Sequence, residues 1–128
     1  ERKDAHIQIE IPLSEMWVKG DKEQALRVFN NLIKNARQAC KETQDAHIRI
    51  SAEINENCYV IRVSDNGCGI PNEMKEKIFT PNFTTKSSGS GLGLAMVNNI
   101  MSSFGGKIWF ESEKDKGSTF YVEFMKTE

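Results

Sequence analysis

The chain holds few of the residues that build cross-linked or metal-templated folds: three cysteines and two histidines among 128 residues. Cys40, Cys58 and Cys68 are odd in number and lack the close pairing of a zinc site, so reduced thiols are expected; Cys68, inside a glycine-rich stretch, is either a reactive thiol or, as the plainer reading, small filler. His6 and His47 fall in segments that alternate like strands, His6 on a solvent-leaning face, and neither has the exposed helical setting of a phosphate-accepting histidine. An excess of positive charge is also missing. Lysine and arginine total 17 against 18 acidic residues, so nothing draws the chain generally to nucleic acid or to anionic membrane, and a phosphate must be held by local groups. No apolar run reaches bilayer length, and the opening Glu1-Arg2-Lys3-Asp4 is unlike a secretory signal; a cytoplasmic segment without membrane contact is expected. With 38% hydrophobic and 27% charged residues, what remains is the mix of one globular domain, residues 1–128, able to bury a core.

Ile7, Ile9 and Ile11 alternate with His6, Gln8 and Glu10, which predicts a strand ending at Pro12; residues 16–18 suit another short strand before Gly20. From Asp21, placed as an N-cap, the period lengthens. Ala25, Val28, Phe29, Leu32, Ile33, Ala36 and Ala39 recur at steps of three and four, the mark of a long amphipathic helix. Asn31 and Asn35 stand one turn apart on the margin of its apolar stripe, with Gln38 next. Asparagine is a mediocre helix former, so the pair either faces water or supplies neutral oxygens to a hard cation. Residues 46–54 and 58–65 alternate around Asn55-Glu56-Asn57 and read as a hairpin.

The far end of that hairpin is unusual. Tyr59, Ile61, Val63 and Asp65 share one face, the apolar one, so a carboxylate ends a buried row and is costly there unless hydrogen-bonded. In Asp65-Asn66-Gly67-Cys68-Gly69-Ile70 the two glycines leave the backbone open to close approach, which suggests a pocket; an ordinary Asp-Asn-Gly turn is the plainer alternative. Residues 72–78 suit one or two helical turns. Residues 79–89 have no period and read as a mobile flap, broken at Pro81 and anchored by Phe79 and Phe83. Gly89-Ser90-Gly91-Leu92-Gly93-Leu94 then leads into Val97, Ile100, Met101 and Phe104, a second amphipathic helix stopping near Gly105-Gly106, whose N-terminal N–H groups suit an anion. Two further strands, residues 107–113 and 118–124, flank a Lys116-Gly117 turn, and Ser118, Phe120, Val122 and Phe124 share a face that brings the Ser118 hydroxyl into the layer of Asp65.

In this order, Asn31-x-x-x-Asn35, Asp65-x-Gly67-x-Gly69, Phe79 to Phe83 and Gly89-x-Gly91-x-Gly93 resemble the N, G1, F and G2 boxes of sensor histidine kinases, over essentially the whole chain. The wording Thr80-Pro81-x-Phe83-Thr84-Thr85-Lys86 looks most like the nitrogen-regulation branch. The resemblance implies an α/β two-layer sandwich, a mixed and mainly antiparallel sheet with helices on one face (the Bergerat ATP-binding fold), and an ATP lid at about residues 72–90. It implies ATP and Mg2+ as ligands: Asp65 for the adenine amino group, Gly67 and Gly69 for approach to the base, Ile70 beside them, and Ser118 where the family usually has threonine. Asn35 would hold magnesium, Asn31 would support the phosphates or their waters, and Lys86 would meet the terminal phosphate, making Asn31, Asn35 and Lys86 the catalytic set. Phe79, Phe83, Thr85, Gly89, Gly91, Leu92, Gly93 and Leu94 would form the lid and the phosphate cradle. Gln38 departs from the basic residue of many relatives, so that contact is missing or moved to Lys34, Arg37 or Lys86. The family's phosphate-accepting histidine lies in a separate dimerisation domain, which becomes the expected partner with a response regulator receiver domain. Gyrase-like relatives carry a water-activating glutamate where this chain has Asn31, which favours kinase over ATPase. An anti-sigma-type serine kinase shares all four boxes and remains open; a non-catalytic nucleotide-sensing module is the other alternative, against which the intact Asn35, Asp65 and two glycine boxes count.

Overall fold

The two periodicities become five strands and two α-helices in a computed structural model that describes residues 6–10, 22–80 and 93–125, with residues 6–10 and Lys22 as backbone only. In chain order these are β1 (His6–Glu10), α1 (Lys22–Ala39), β2 (His47–Ile54), β3 (Cys58–Asp65), a short 3-10 turn (Asn72–Met74), α2 (Gly93–Ser103), β4 (Lys107–Glu113) and β5 (Gly117–Met125). The expected Pro12 strand end, the strand at residues 16–18, the Asp21 cap and most of the flap, with Phe83, Thr85, Lys86, Gly89, Gly91 and Leu92, lie outside the described residues.

The strands form one sheet in the order β1-β2-β3-β5-β4, with β1 parallel to β2 and every other pair antiparallel. The mixed, mainly antiparallel sheet is the one expected. Both helices pack on one face, where Val28, Leu32 and Ala36 of α1 and Val97, Ile100 and Met101 of α2 meet Ile48, Ile50, Ile61, Val63, Phe120, Val122 and Phe124. Phe124 joins the layers: its ring lies 5.8 Å from that of Phe29 and 5.6 Å from that of Phe104. Each such fully buried side chain contributes about 1.5–3 kcal/mol by leaving water, so the alternation that points these residues inward also fixes the strand register. The opposite face is polar and aromatic: Arg62 pairs with Glu53, the Ser64 and Thr119 hydroxyls are 2.8 Å apart, and Trp109 stacks on Tyr121 with centroids 5.2 Å apart.

Two sequence expectations need correction. The last hairpin turns at residues 114–116 and not at Lys116-Gly117; Asp115 takes the left-handed conformation (φ 66°), which frees Gly117 to open β5 opposite Glu113. Cys68 is exposed and fills no gap. Its N–H donates to Ala39 O (3.0 Å) and its C=O accepts from Asp115 N–H (2.6 Å), so the backbone is clamped on both sides and the side chain turns outward.

Candidate functional site

The helix-facing row of the sheet changes character at one end. Across β2, β3, β5 and β4 the register aligns Ile48, Asp65, Ser118 and Ser112, so three polar residues continue rows that are otherwise Tyr59-Ile61-Val63, Phe120-Val122-Phe124 and Ile108-Phe110. Asp65 is 9% exposed and Ser118 6%. Burial pushes the Asp65 carboxyl above the usual carboxylate range, and the backbone N–H groups of Gly67 (2.9 Å to Oδ1) and Ser118 pull it part of the way back. A carboxylate accepts about four hydrogen bonds. Among the described residues two of these are filled, which leaves acceptor capacity for a donor brought by a ligand.

The stretch after Asp65 is wedged between α1 and the β4–β5 turn. A Cβ at Gly67 would stand 2.4 Å from Ala39 O, and one at Gly69, whose φ is +71°, would stand 2.1 Å from Glu113 O. The closeness that the sequence suggested for a ligand is thus taken up, on these sides, by the protein's own backbone. Asn66, passed over in the sequence, is the clamp: its Oδ1 accepts from His47 N–H (2.7 Å) and its Nδ2 donates to Asp45 O (3.1 Å). Buried Cys40 lies against it, Sγ to Oδ1 3.8 Å, and burial followed by the Asp65 charge pushes that thiol up.

Ser112 is a second residue to which the sequence reading assigns no role. Its hydroxyl accepts from Ile70 N–H (2.8 Å), lies 2.8 Å from the Ser118 hydroxyl and donates to Gly117 O (3.1 Å), while its carbonyl accepts from Lys75 Nζ (2.6 Å). Ile70 and Phe79 are partly buried against the core, Phe79 meeting Phe110 edge-on at 5.8 Å, so the chain is packed on the sheet at Phe79, where the flap stretch begins. The signal for Ser112 was available: it ends the Ile108-Phe110 row as Asp65 ends its own.

Asn31 and Asn35 are half-buried on α1, as the stripe margin predicted. Asn31 Nδ2 donates to Arg27 O (2.8 Å), and its Oδ1 lies 3.0 Å from where a Cβ of Gly93 would stand. The first residue of α2 therefore comes close to an amide oxygen of α1 because it is glycine. Leu94 packs against the core beside it. Gln38 is half-buried, Lys34 and Arg37 are exposed, and among the described residues no group of three His, Cys, Asp or Glu side chains could hold a metal ion. A hard cation here would rest on neutral amide oxygens and on oxygens supplied by its ligand, a donor set that fits magnesium. Asp65, Gly67, Ile70 and Ser118 are thus linked into one unit, and Asn31 with Gly93 into another. Among the described residues no helix is long and apolar enough to cross a membrane.

The sequence model of the family described as "Histidine kinase-, DNA gyrase B-, and HSP90-like ATPase" matches residues 20–128. The chain is 36% identical over 125 residues to the C4-dicarboxylate transport sensor protein DctB of Rhizobium meliloti (strain 1021), covering 98% of this chain and 20% of that protein. Among solved structures it is similar to the catalytic domain of histidine kinase ThkA, with 36% identity and a TM-score of 0.83 over 96% of this chain and 80% of that one. Histidine kinase ThkA in complex with response regulator protein TrrA matches at 34% identity and a TM-score of 0.76, over 94% of this chain and 34% of that one. The chain spans about a fifth of the length of the curated relatives it matches.

Proposed function

The chain belongs to the histidine kinase-, DNA gyrase B- and HSP90-like ATPase family, and from that premise we propose that it is the part of a two-component sensor kinase that binds ATP and transfers the γ-phosphate to a histidine on a separate dimerisation domain. The observation that carries this reading is the buried Asp65 carboxylate, held by two backbone N–H groups and retaining acceptor capacity beside Ser118. An acceptor so held suits the exocyclic amine of adenine. Asn31 meets the start of α2 at Gly93 and Asn35 lies one turn further along α1; the phosphates would run here, with Gly89, Gly91 and Gly93 as the cradle and Lys86 for the terminal phosphate. Asn35, with Asn31 beside it, would hold magnesium, which when bound neutralises charge on phosphate oxygens. Asn31 offers no general base for water, and an imidazole lone pair needs less activation, so transfer to histidine is favoured over hydrolysis.

The dimerisation domain of the same kinase and a receiver domain are the proposed partners. The names of the relatives, a sensor protein and a histidine kinase, support histidine over serine as acceptor and phosphotransfer over passive sensing. The test is to incubate the chain with labelled magnesium-ATP, alone and with the dimerisation domain of the same kinase. Acid-labile, alkali-stable label on the dimerisation domain and slow hydrolysis by the chain alone are expected. Brisk multiple-turnover hydrolysis by the chain alone, or acid-stable label, would overturn the proposal.

A further inference from the structure

The hydroxyls of Ser112 and Ser118 lie side by side at the adenine end of the site, and their proton bookkeeping has few solutions. Among the described residues Ser112 Oγ has three polar neighbours: Ile70 N–H at 2.8 Å, the Ser118 hydroxyl at 2.8 Å and Gly117 O at 3.1 Å. A serine hydroxyl donates once and accepts twice. Ile70 N–H can only donate and Gly117 O can only accept. All three contacts are hydrogen bonds together in one arrangement alone: Ser112 donates to Gly117 O and accepts from both Ile70 N–H and Ser118 O–H. If Ser112 instead donated to Ser118, its oxygen and Gly117 O would face each other as two acceptors with no proton between them, a costly arrangement in a half-buried place.

Resting on the adenine-nucleotide reading above, we propose that Ser112 is a positioning residue that draws the Ser118 proton away from the pocket, so that Ser118 meets the base as an acceptor and the site selects 6-amino over 6-oxo purines. Ser118 stands opposite Asp65 in the β3–β5 register, and its own N–H donates to that carboxylate. The pocket then presents two acceptors, the Asp65 carboxylate and the Ser118 hydroxyl oxygen. The amine at C6 of adenine carries two hydrogens and matches them directly. The oxo group of hypoxanthine or guanine is an acceptor and meets only acceptors, and if the N1–H of such a base turned to one of them the oxo group would still face the other. Ser112 touches no base in this scheme. It acts by tying the Ser118 proton, and by tying Ile70 N–H it also keeps the rim of the pocket in register with β4.

The experiment is calorimetric titration of ADP and of inosine 5′-diphosphate into the chain, for wild type, Ser112→Ala and Ser112→Thr, and for Ser118→Ala with and without Ser112→Ala. Wild type should prefer ADP. Ser112→Ala leaves the Ser118 proton free to turn to the pocket and donate to a 6-oxo group, so the preference should narrow by about tenfold. Ser112→Thr keeps the hydroxyl and should restore it, and in the Ser118→Ala background Ser112→Ala should change the ratio no further. Equal weakening of both nucleotides by Ser112→Ala, or a further change of ratio when Ser118 is already alanine, would overturn the proposal; the second arm decides even if one single variant folds poorly. A wild-type chain that binds ADP while its selectivity ignores Ser112 overturns this inference only, whereas a wild-type chain that fails to bind ADP overturns the nucleotide reading beneath it.

Discussion

Gly69 and Gly105 are matched in backbone conformation and opposite in surroundings, which makes them a paired test of how the loop after Asp65 is held. Their φ angles are +71° and +75°. A Cβ at Gly105 would meet nothing within 4 Å, while one at Gly69 would stand 2.1 Å from Glu113 O, more than 1 Å inside the 3.4 Å of an ordinary contact. Gly105→Ala therefore carries the left-handed penalty alone, about 1–2 kcal/mol. Gly69→Ala adds overpacking against backbone that cannot rotate away, about 1–3 kcal/mol more. Relief would require moving Glu113, which is paired with Gly117, and would strain the bond from Asp115 N–H to Cys68 O. At about 4 °C per kcal/mol for a chain of this size, Gly105→Ala should lower Tm by about 4–8 °C and Gly69→Ala by about 8–20 °C. Circular dichroism melts of the two variants measure this, and ADP titration below both transitions should find binding kept in Gly105→Ala and lost or strongly weakened in Gly69→Ala. Equal melting shifts, or a milder one for Gly69→Ala, would refute the close packing of this loop on the β4–β5 turn.

The Asp65 carboxyl is raised above its ordinary range, first by burial, so the native state holds that proton more tightly than the unfolded one; its contribution favours folding at low pH and is lost as pH rises through the folded-state value. The difference in urea-unfolding free energy between wild type and Asp65→Asn should therefore fall with rising pH, and a difference that grows would contradict the burial account. Asn35→Ala, which removes a half-buried amide oxygen one turn beyond Asn31, should chiefly abolish the magnesium-dependent part of ATP binding and leave magnesium-free ADP binding in place. If both are lost equally in a folded variant, Asn35 is structural.

Much of this arrangement was legible because burial and periodicity say the same thing along β3 and β5: a row of apolar residues that ends in Asp65 or Ser118 places those side chains at the end of the core before any coordinates are known. The Asn31-Asn35 pair was legible for the same reason on a helix. Ser112 gives a weaker signal, since a serine ending the Ile108-Phe110 row costs far less to bury than a carboxylate, and its role emerges only when the β4–β5 register sets it beside Ser118. Asn66 was hidden because its partners, His47 and Asp45, lie 19 and 21 residues away in sequence. The duties of Gly67 and Gly69 were half legible: a glycine announces that something comes close, but not whether it is a ligand or the carbonyl of Ala39 or Glu113. The exposure of Cys68 follows from two backbone hydrogen bonds that no local pattern encodes.

The measurement that bears most directly on the central claim is ADP binding by Asp65→Asn, a change that preserves shape while replacing a pure acceptor with a group able to present N–H to the adenine amine. Loss of a charge-assisted hydrogen bond in a buried pocket costs about 1.5–3 kcal/mol, so titration calorimetry should find ADP bound about ten- to a hundredfold more weakly by a variant whose circular dichroism matches wild type. Unchanged ADP affinity in that folded variant would mean that Asp65 does not recognise the base and that the nucleotide lies elsewhere.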